Sequence, residues 1–280
     1  MARINSMKKL ILLLPVIFVI ILSGCTTQDA AQIMEDSLNK IDKLDSFKMS
    51  YDYMRSMVPV MNMDGDLIIY QKGDLMRSDM EIPIMIGVTM NTVTYYLPEG
   101  TFACIQAVDE YLCVLGDEQS VPFSNPESMI EATGKMVDKG VLKMNYNGIS
   151  NVAGRNCFNI TFEMDITKLN SITLEEMEML GIATDSTSDF ENLKEFMINE
   201  CYDTENGVSL STSMSMTSDL GDDPEMSEMG ISTVSTRISM EATSFTPNAV
   251  IDDSMFVLPS EPMSMEELEN MLLEDMETEV

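Results

Sequence analysis

A two-residue rhythm that begins at Phe47 limits what this chain can become. Phe47, Met49, Tyr51 and Tyr53 alternate with Lys48, Ser50 and Asp52. Successive side chains of a strand point to opposite faces, so the pattern describes a strand with one apolar and one polar face. DGDLIIYQ (64–71), DLMRSDMEI (74–82) and VTMNTVTYYLP (88–98) follow in the same manner, divided by turn signals at Asp64-Gly65 and Lys72-Gly73-Asp74. Residues 141–165 read as a hairpin turning near Asn151-Val152-Ala153-Gly154, and residues 195–217 as one turning at Asn206-Gly207. ISTVSTRISMEATSF (231–245) is a further strand. The spacing predicts an antiparallel meander of about eight to ten strands. Such a sheet needs its apolar face covered, by helices or by curling toward a barrel.

Two stretches change period. Ala30, Ile33, Met34, Leu38, Ile41 and Leu44 recur at three- and four-residue steps, an amphipathic helix with its apolar stripe toward a core. Residues 125–140 carry Asn125 as cap, Pro126 at the first helical position and Gly140 as the stop. Residues 170–193 are predicted helical in part, and 218–230 read as an acidic flexible loop. Residues 261–280 form an acidic helix or a fraying tail. The expected fold class is α+β, with the sheet occupying residues 29–260.

The amino terminus has a different character. Residues 1–24 carry Arg3, Lys8 and Lys9, then 13 uncharged, mostly apolar residues from Leu10 to Leu22, then Ser23-Gly24. That is the layout of a secretory signal peptide, and the run falls short of the roughly 20 residues of a membrane span. Met7-Lys8-Lys9 also makes a good beginning, so Met7 is an alternative start. Leu22-Ser23-Gly24-Cys25 resembles the lipobox of prokaryotic lipoproteins. The resemblance implies cleavage before Cys25 and lipid on its sulfur, with residues 25–28 as a tether. Stable attachment takes more than one acyl chain. The expected location is the extracytoplasmic face of the cell membrane, with the membrane itself as a partner through Cys25.

Charge and composition exclude whole classes of function. The 16 basic residues are outnumbered by 47 acidic ones, a formal charge of −31. Such a surface repels phosphate backbones, so nucleic acid is not an expected partner. It is a solvated, self-repelling surface suited to salty surroundings. There is no His and no Trp. Without imidazole there is no Ser-His-Asp or Cys-His machinery and no His ligand for zinc, so neither enzyme activity nor a cofactor is expected.

With Cys25 assigned to lipid, four of the five cysteines remain, Cys104, Cys113, Cys157 and Cys201. In TFACIQAVDEYLCVLG (101–116) a turn centred near Val108-Asp109 sets Cys104 opposite Cys113, close enough for a disulfide. Cys157 and Cys201 are then left to pair. A four-thiolate metal site is disfavoured, since no C-x-x-C spacing occurs.

The order of elements, together with VAGRNCFNITFEM (152–164), INECYDTENGVSLS (198–211) and NAVIDDSMFVLPSE (248–261), resembles the LolA/LolB/LppX-like lipoprotein-carrier superfamily. Gly154, the Asp203-to-Gly207 turn and the trio Asp253, Phe256 and Pro259 stand at that family's motif positions. The resemblance implies a prokaryotic, in particular archaeal, surface lipoprotein. Its fold would be a large curved antiparallel β-sheet, a half-open barrel, with helices covering its concave face. It further implies an apolar cavity for a lipid or other apolar ligand. In the carrier branch an Arg on an early strand helps to hold cargo, and the sequence assigns no counterpart. The candidate ligand-lining residues are Phe47, Met49, Tyr51, Tyr53, Met61, Met63, Leu67 and Ile69. The competing expectation is an envelope sensor or scaffold whose sheet is filled by its own side chains and which acts through protein contacts.

Other patterns have plainer readings. The 29 methionines include the pairs Met61/Met63, Met177/Met179, Met214/Met216 and Met263/Met265. Thioethers two apart on a strand share a face and suit Cu(I), but they equally serve as adaptable filler around an apolar ligand, the expectation adopted here. The acidic clusters at 64–66, 219–225 and 252–253 lack the 12-residue calcium-loop pattern, so no metal site is expected. Asn159-Ile160-Thr161 is a glycosylation sequon inside a predicted strand. The lipid assignment has a direct check. Cys25→Ser should abolish metabolic lipid labelling and release the protein from membranes, whereas unchanged retention would reject the lipobox reading.

Overall fold

The computed structural model describes residues 29–58, 61–85, 88–107, 110–116, 126–172, 192–219, 232–264 and 267. The leader, Cys25 and the tether lie outside these residues. So do the turn at Val108-Asp109, Asn125, residues 173–191 and most of both the acidic loop and the C-terminal tail.

The chain opens with helix α1 (Ala30–Ile41), whose cap Asp29 accepts a hydrogen bond from the Ala31 amide at 3.1 Å. Six strands follow: β1 (Ser46–Val58), β2 (Met61–Lys72), β3 (Leu75–Met85), β4 (Val88–Leu97), β5 (Gly100–Ala107) and β6 (Glu110–Leu115). Helix α2 (Pro126–Asp138) leads into β7 (Leu142–Val152) and β8 (Arg155–Met164). A four-residue helix α3 (Ile166–Leu169) precedes β9 (Leu193–Asp203), β10 (Ser209–Asp219) and β11 (Thr233–Pro247). A 3-10 turn at Asp253–Phe256 belongs to the closing segment.

All strands join one antiparallel sheet in the order β6-β5-β4-β3-β2-β1-β11-β10-β9-β8-β7. Two meanders, β1–β6 and β7–β11, are united where the first strand pairs with the last. The strands at the two ends are β6 and β7, so the sheet is not closed. The eleven strands among the described residues exceed the eight to ten expected.

Helical cover lies at one end of the sheet. Ala30 and Ile33 of α1 pack with Ile160 and with Met144, Tyr146, Phe158, Phe162 and Tyr202 of β7–β9. Lys40, in the last turn of α1, donates to the Thr204 carbonyl at 2.8 Å. Gly207, at φ +77, brings the β9–β10 turn hard against the helix, and a Cβ there would fall on the Ser37 carbonyl. Beside it, the core proper gathers Phe47, Met49, Tyr51, Leu67, Val208, Leu210 and Ala242.

The opposite face is covered at the other end, by the segment after β11. Asn248 N donates to the Ser46 carbonyl at 2.7 Å, Lys72 Nζ to that of Ile251 at 3.0 Å and Arg77 to that of Met255 at 3.0 Å. Leu258 packs against the cluster Val93, Tyr95, Phe102, Cys104 and Cys113. Met263 then bridges to β6, donating to the Cys113 carbonyl at 2.9 Å and accepting from the Leu115 amide at 3.1 Å. Asp253, Phe256 and Pro259 all lie on this strap.

Both disulfides join neighbouring strands. Cys104 and Cys113 stand directly opposite in the β5–β6 register, and Cys157–Cys201 ties β8 to β9 across 44 residues. The helix-to-turn contact yields a prediction. Gly207→Ala adds left-handed strain to a clash with backbone and should cost about 2–5 kcal/mol in denaturant unfolding. Wild-type stability in that variant would show that α1 does not dock there.

Candidate functional site

Register sorts the central side chains onto two faces, because directly paired residues of an antiparallel sheet share a face. On the front face, which carries α1, one row crosses seven strands: Met144, Phe162, Ile198, Met214, Ile238, Arg55 and Met63. The next row toward the β1–β2 turn is Phe196, Met216, Thr236, Met57 and Met61. Apart from Arg55 and Thr236, these positions are apolar. Those with described side chains are half-buried, except Thr236, which is buried.

All eight candidate lining residues stand on this front face, on β1 and β2. They divide by depth. Phe47, Met49, Tyr51 and Leu67 are buried in the core, Met49 at 1% exposure. Tyr53, Met63 and Ile69 are half-buried. The deep end of the face is therefore filled by the protein itself, and the end toward Met57 is the accessible part.

Arg55 is a candidate site residue that sequence reading missed. It sits on an early strand, between Ile238 and Met63 in its row and between Tyr53 and Met57 along β1. Its Nε is buried with no hydrogen-bond partner, and it forms no ion pair among the described residues. In a chain with 47 acidic residues, a guanidinium seated among thioethers is out of keeping with its surroundings. An unpaired buried donor is costly unless something supplies an acceptor. The available signal was parity, since Arg55 continues the odd-numbered apolar face of β1. The same positive charge opposes a Cu(I) ion among Met57, Met63, Met214 and Met216. Met177, Met179 and Met265 lie outside the described residues.

The back face of the same strands is polar. A row of Ser211, Glu241, Asp52, Asp66, Glu81 and Asn91 places four carboxylates on four adjacent strands. Like charges directly opposite repel, and here all four are exposed, where water and salt screen them. They line an open groove of about 870 Å³ with Asp64, Met54 and Arg237. Of the eight candidates only Tyr53 reaches this groove, and its carboxylates suit no acyl chain. Among the described residues no group of three or more His, Cys, Asp or Glu is placed to hold a metal ion. No described helix is long and apolar enough to cross a membrane.

Among the described residues one acid lies within the central rows of the front face. Glu200, in the row Ile160, Glu200, Thr212, Met240 and Tyr53, accepts hydrogen bonds from Ser209 Oγ and, at 3.0 Å, from Thr212 Oγ1. Burial outweighs those bonds and lifts its carboxyl to about 7. Burial and the Glu200 charge also push the Tyr51 and Tyr202 phenols up. The Tyr51 hydroxyl donates to the Ser209 carbonyl at 2.7 Å. Asp203 is the converse case. Its burial would raise it, but hydrogen bonds from Arg155 and from the Asn206 and Glu205 amides prevail and hold it below the usual carboxylate range. Asn159 is half-buried in β8, its amide donating to Ser150 Oγ at 3.4 Å and its oxygen accepting from Asn147.

No protein-family model matches the sequence, and no curated protein matches it significantly. Among solved structures, the chain is similar to one from the MucA/MucB complex of Pseudomonas aeruginosa, at 14% identity over 80% of this chain and 60% of that one, with a TM-score of 0.41. It is similar to the lipoprotein LppX of Mycobacterium tuberculosis at 11% identity, 80% and 97% coverage and a TM-score of 0.38. For LprF of Mycobacterium bovis the values are 10%, 83% and 98%, and 0.37. The chain thus spans about 60% of the length of the first of these. At such TM-scores the likeness carries no argument about function.

The raised carboxyl has a measurable consequence. The folded state holds the Glu200 proton more tightly than the unfolded chain, whose carboxyl has the ordinary value of 4.5. Its contribution to stability is therefore fully present below pH 4.5 and is lost as pH rises through about 7. With no His in the chain, few other groups titrate in that window. Denaturant unfolding at pH 5 and pH 8 should differ by up to about 3 kcal/mol more in the wild chain than in Glu200→Gln. Equal differences would show that Glu200 is solvated.

Proposed function

We propose that this protein is a non-catalytic, membrane-anchored lipoprotein of the extracytoplasmic face, of the LolA/LolB/LppX-like kind. It binds an apolar ligand with an anionic head on the front face of the sheet. The observation that carries the reading is Arg55, whose Nε lacks a partner in the middle of a thioether and isoleucine surface. An acyl or similar chain would lie along the rows through Met57, Met63, Met214 and Ile238. Its burial is worth about 25 cal/mol per Å² before the costs of association. A carboxylate or phosphate head would give Arg55 its missing acceptor. Methionine suits such a surface, because its flexible chain adapts to a variable apolar partner. The anchor itself rests on the lipobox at Leu22–Cys25.

A second reading, a sensor or scaffold acting through protein contacts, draws on the burial of Phe47, Met49, Tyr51 and Leu67 within the protein's own core. The two separate in a binding experiment on the chain from residue 26 onward. Lipid extraction should recover co-purified lipid. After delipidation the protein should bind 11-(dansylamino)undecanoate, an anionic fluorescent amphiphile, and Arg55→Leu should weaken that binding about tenfold, the loss of one charge-assisted hydrogen bond. No lipid and no probe binding would favour the scaffold reading.

A further inference from the structure

We propose that the thioethers around Arg55 are a reversible oxidation site, and that forming sulfoxides on Met57, Met63, Met214 and Met216 expels the ligand. This rests on the binding reading above. Register places all four beside the guanidinium: Met63 directly opposite it, Met57 two residues along β1, Met214 beyond Ile238 in the same row, and Met216 in the adjoining row. All four are half-buried rather than sealed in the core. Met49, at 1% exposure, is shielded.

Each oxidation balances with a peroxide as oxidant. A sulfur lone pair takes the distal peroxide oxygen, an S–O bond forms, the O–O bond breaks, and the departing hydroxide collects a proton and leaves as water. The sulfur loses two electrons and the peroxide gains them. A dithiol reverses the step, supplying two electrons and two protons to release the oxygen as water and becoming a disulfide.

The physical effect is twofold. A thioether is a weak acceptor on an apolar, adaptable chain, whereas a sulfoxide is polar, so the surface facing an acyl chain loses its apolar character. The new oxygen is also an acceptor. Directly opposed residues stand about 4.5–5.5 Å apart at Cβ, so a Met63 sulfoxide can take the hydrogen bond that Arg55 Nε lacks. The ligand then loses its apolar bed and its ionic partner together. The exposed Met54 and Met197, at 40% and 38%, provide the contrast. They pair with Asp64 and Ser239, and with Ser215 and Glu163, on the back face. Oxygen added there joins a surface that is already polar.

The test uses the full chain, held in nanodiscs of zwitterionic lipid and titrated with 11-(dansylamino)undecanoate before and after hydrogen peroxide. Peptide mass spectrometry locates the sulfoxides. The expected result is sulfoxide on Met57, Met63, Met214 and Met216 and probe affinity reduced by about tenfold or more. Methionine sulfoxide reductases with dithiothreitol should restore binding, and the double variant Met54→Leu/Met197→Leu should remain as sensitive as the wild chain. Three results would overturn the inference: unchanged affinity with the four sulfoxides present, sulfoxides confined to Met54 and Met197, or a loss of binding that accompanies loss of the strand signal in circular dichroism. A chain that fails to bind the probe before oxidation would instead remove the binding reading itself.

Discussion

Everything in this molecule turns on the pairing of β1 with β11. The two strands run in register from Phe47 opposite Pro247 to Val58 opposite Ser235, with one irregularity between Ser50 and Tyr51. At that irregularity Thr243 Oγ1 donates to the Ser50 carbonyl across 193 residues of sequence. Without this seam the chain would be two separate meanders, each with an additional open edge. Closing so long a loop is entropically expensive and comes late, since distant contacts reward the chain only after the intervening strands are in place. Both the Arg55 row and the carboxylate row cross the seam, so neither face has its character until it forms.

Cover is distributed diagonally. Helix α1 lies on the front face over β7–β9, and the strap after β11 lies on the back face toward β6. The scarce cations hold these crossings, often by donating to carbonyls. Lys40 reaches Thr204, Lys72 reaches Ile251, Arg77 reaches Met255 and Lys168 reaches Gly140 at 3.0 Å. Arg155 satisfies Asp203, itself 1% exposed, and Glu205. In a chain this acidic, a basic side chain placed where strap or helix meets sheet neutralises local charge and fixes geometry at once. Arg55 stands apart from this pattern.

Much of the fold was legible because its cues are local. The alternation from Phe47 to Tyr53, the turn residues at Gly73 and Gly207 and the symmetric placing of Cys104 and Cys113 each depend on neighbours within a strand or hairpin. The candidate site was legible only in part. Parity alone put Phe47, Met49, Tyr51 and Tyr53 on one face, but not the depth at which that face passes from core to accessible surface. Nor did it join Met214 and Ile238 to Arg55. The back-face carboxylate row was not legible: only Asp66 belongs to an acidic cluster in the sequence, and Asp52, Asp66, Glu81 and Glu241 are far apart in sequence and meet only by register.

Taken alone, the amino-acid sequence determined the antiparallel strands, the amphipathic opening helix, the four-cysteine set and the absence of imidazole chemistry. Those properties follow from side-chain periodicity and residue type. The tertiary structure decided that, among the described residues, the sheet has eleven strands, that the first and last of them pair, and that one arginine has no partner for its Nε among thioethers. These depend on long-range register, and a side-chain period of two tells which residues share a face of their own strand without naming their neighbours on the next.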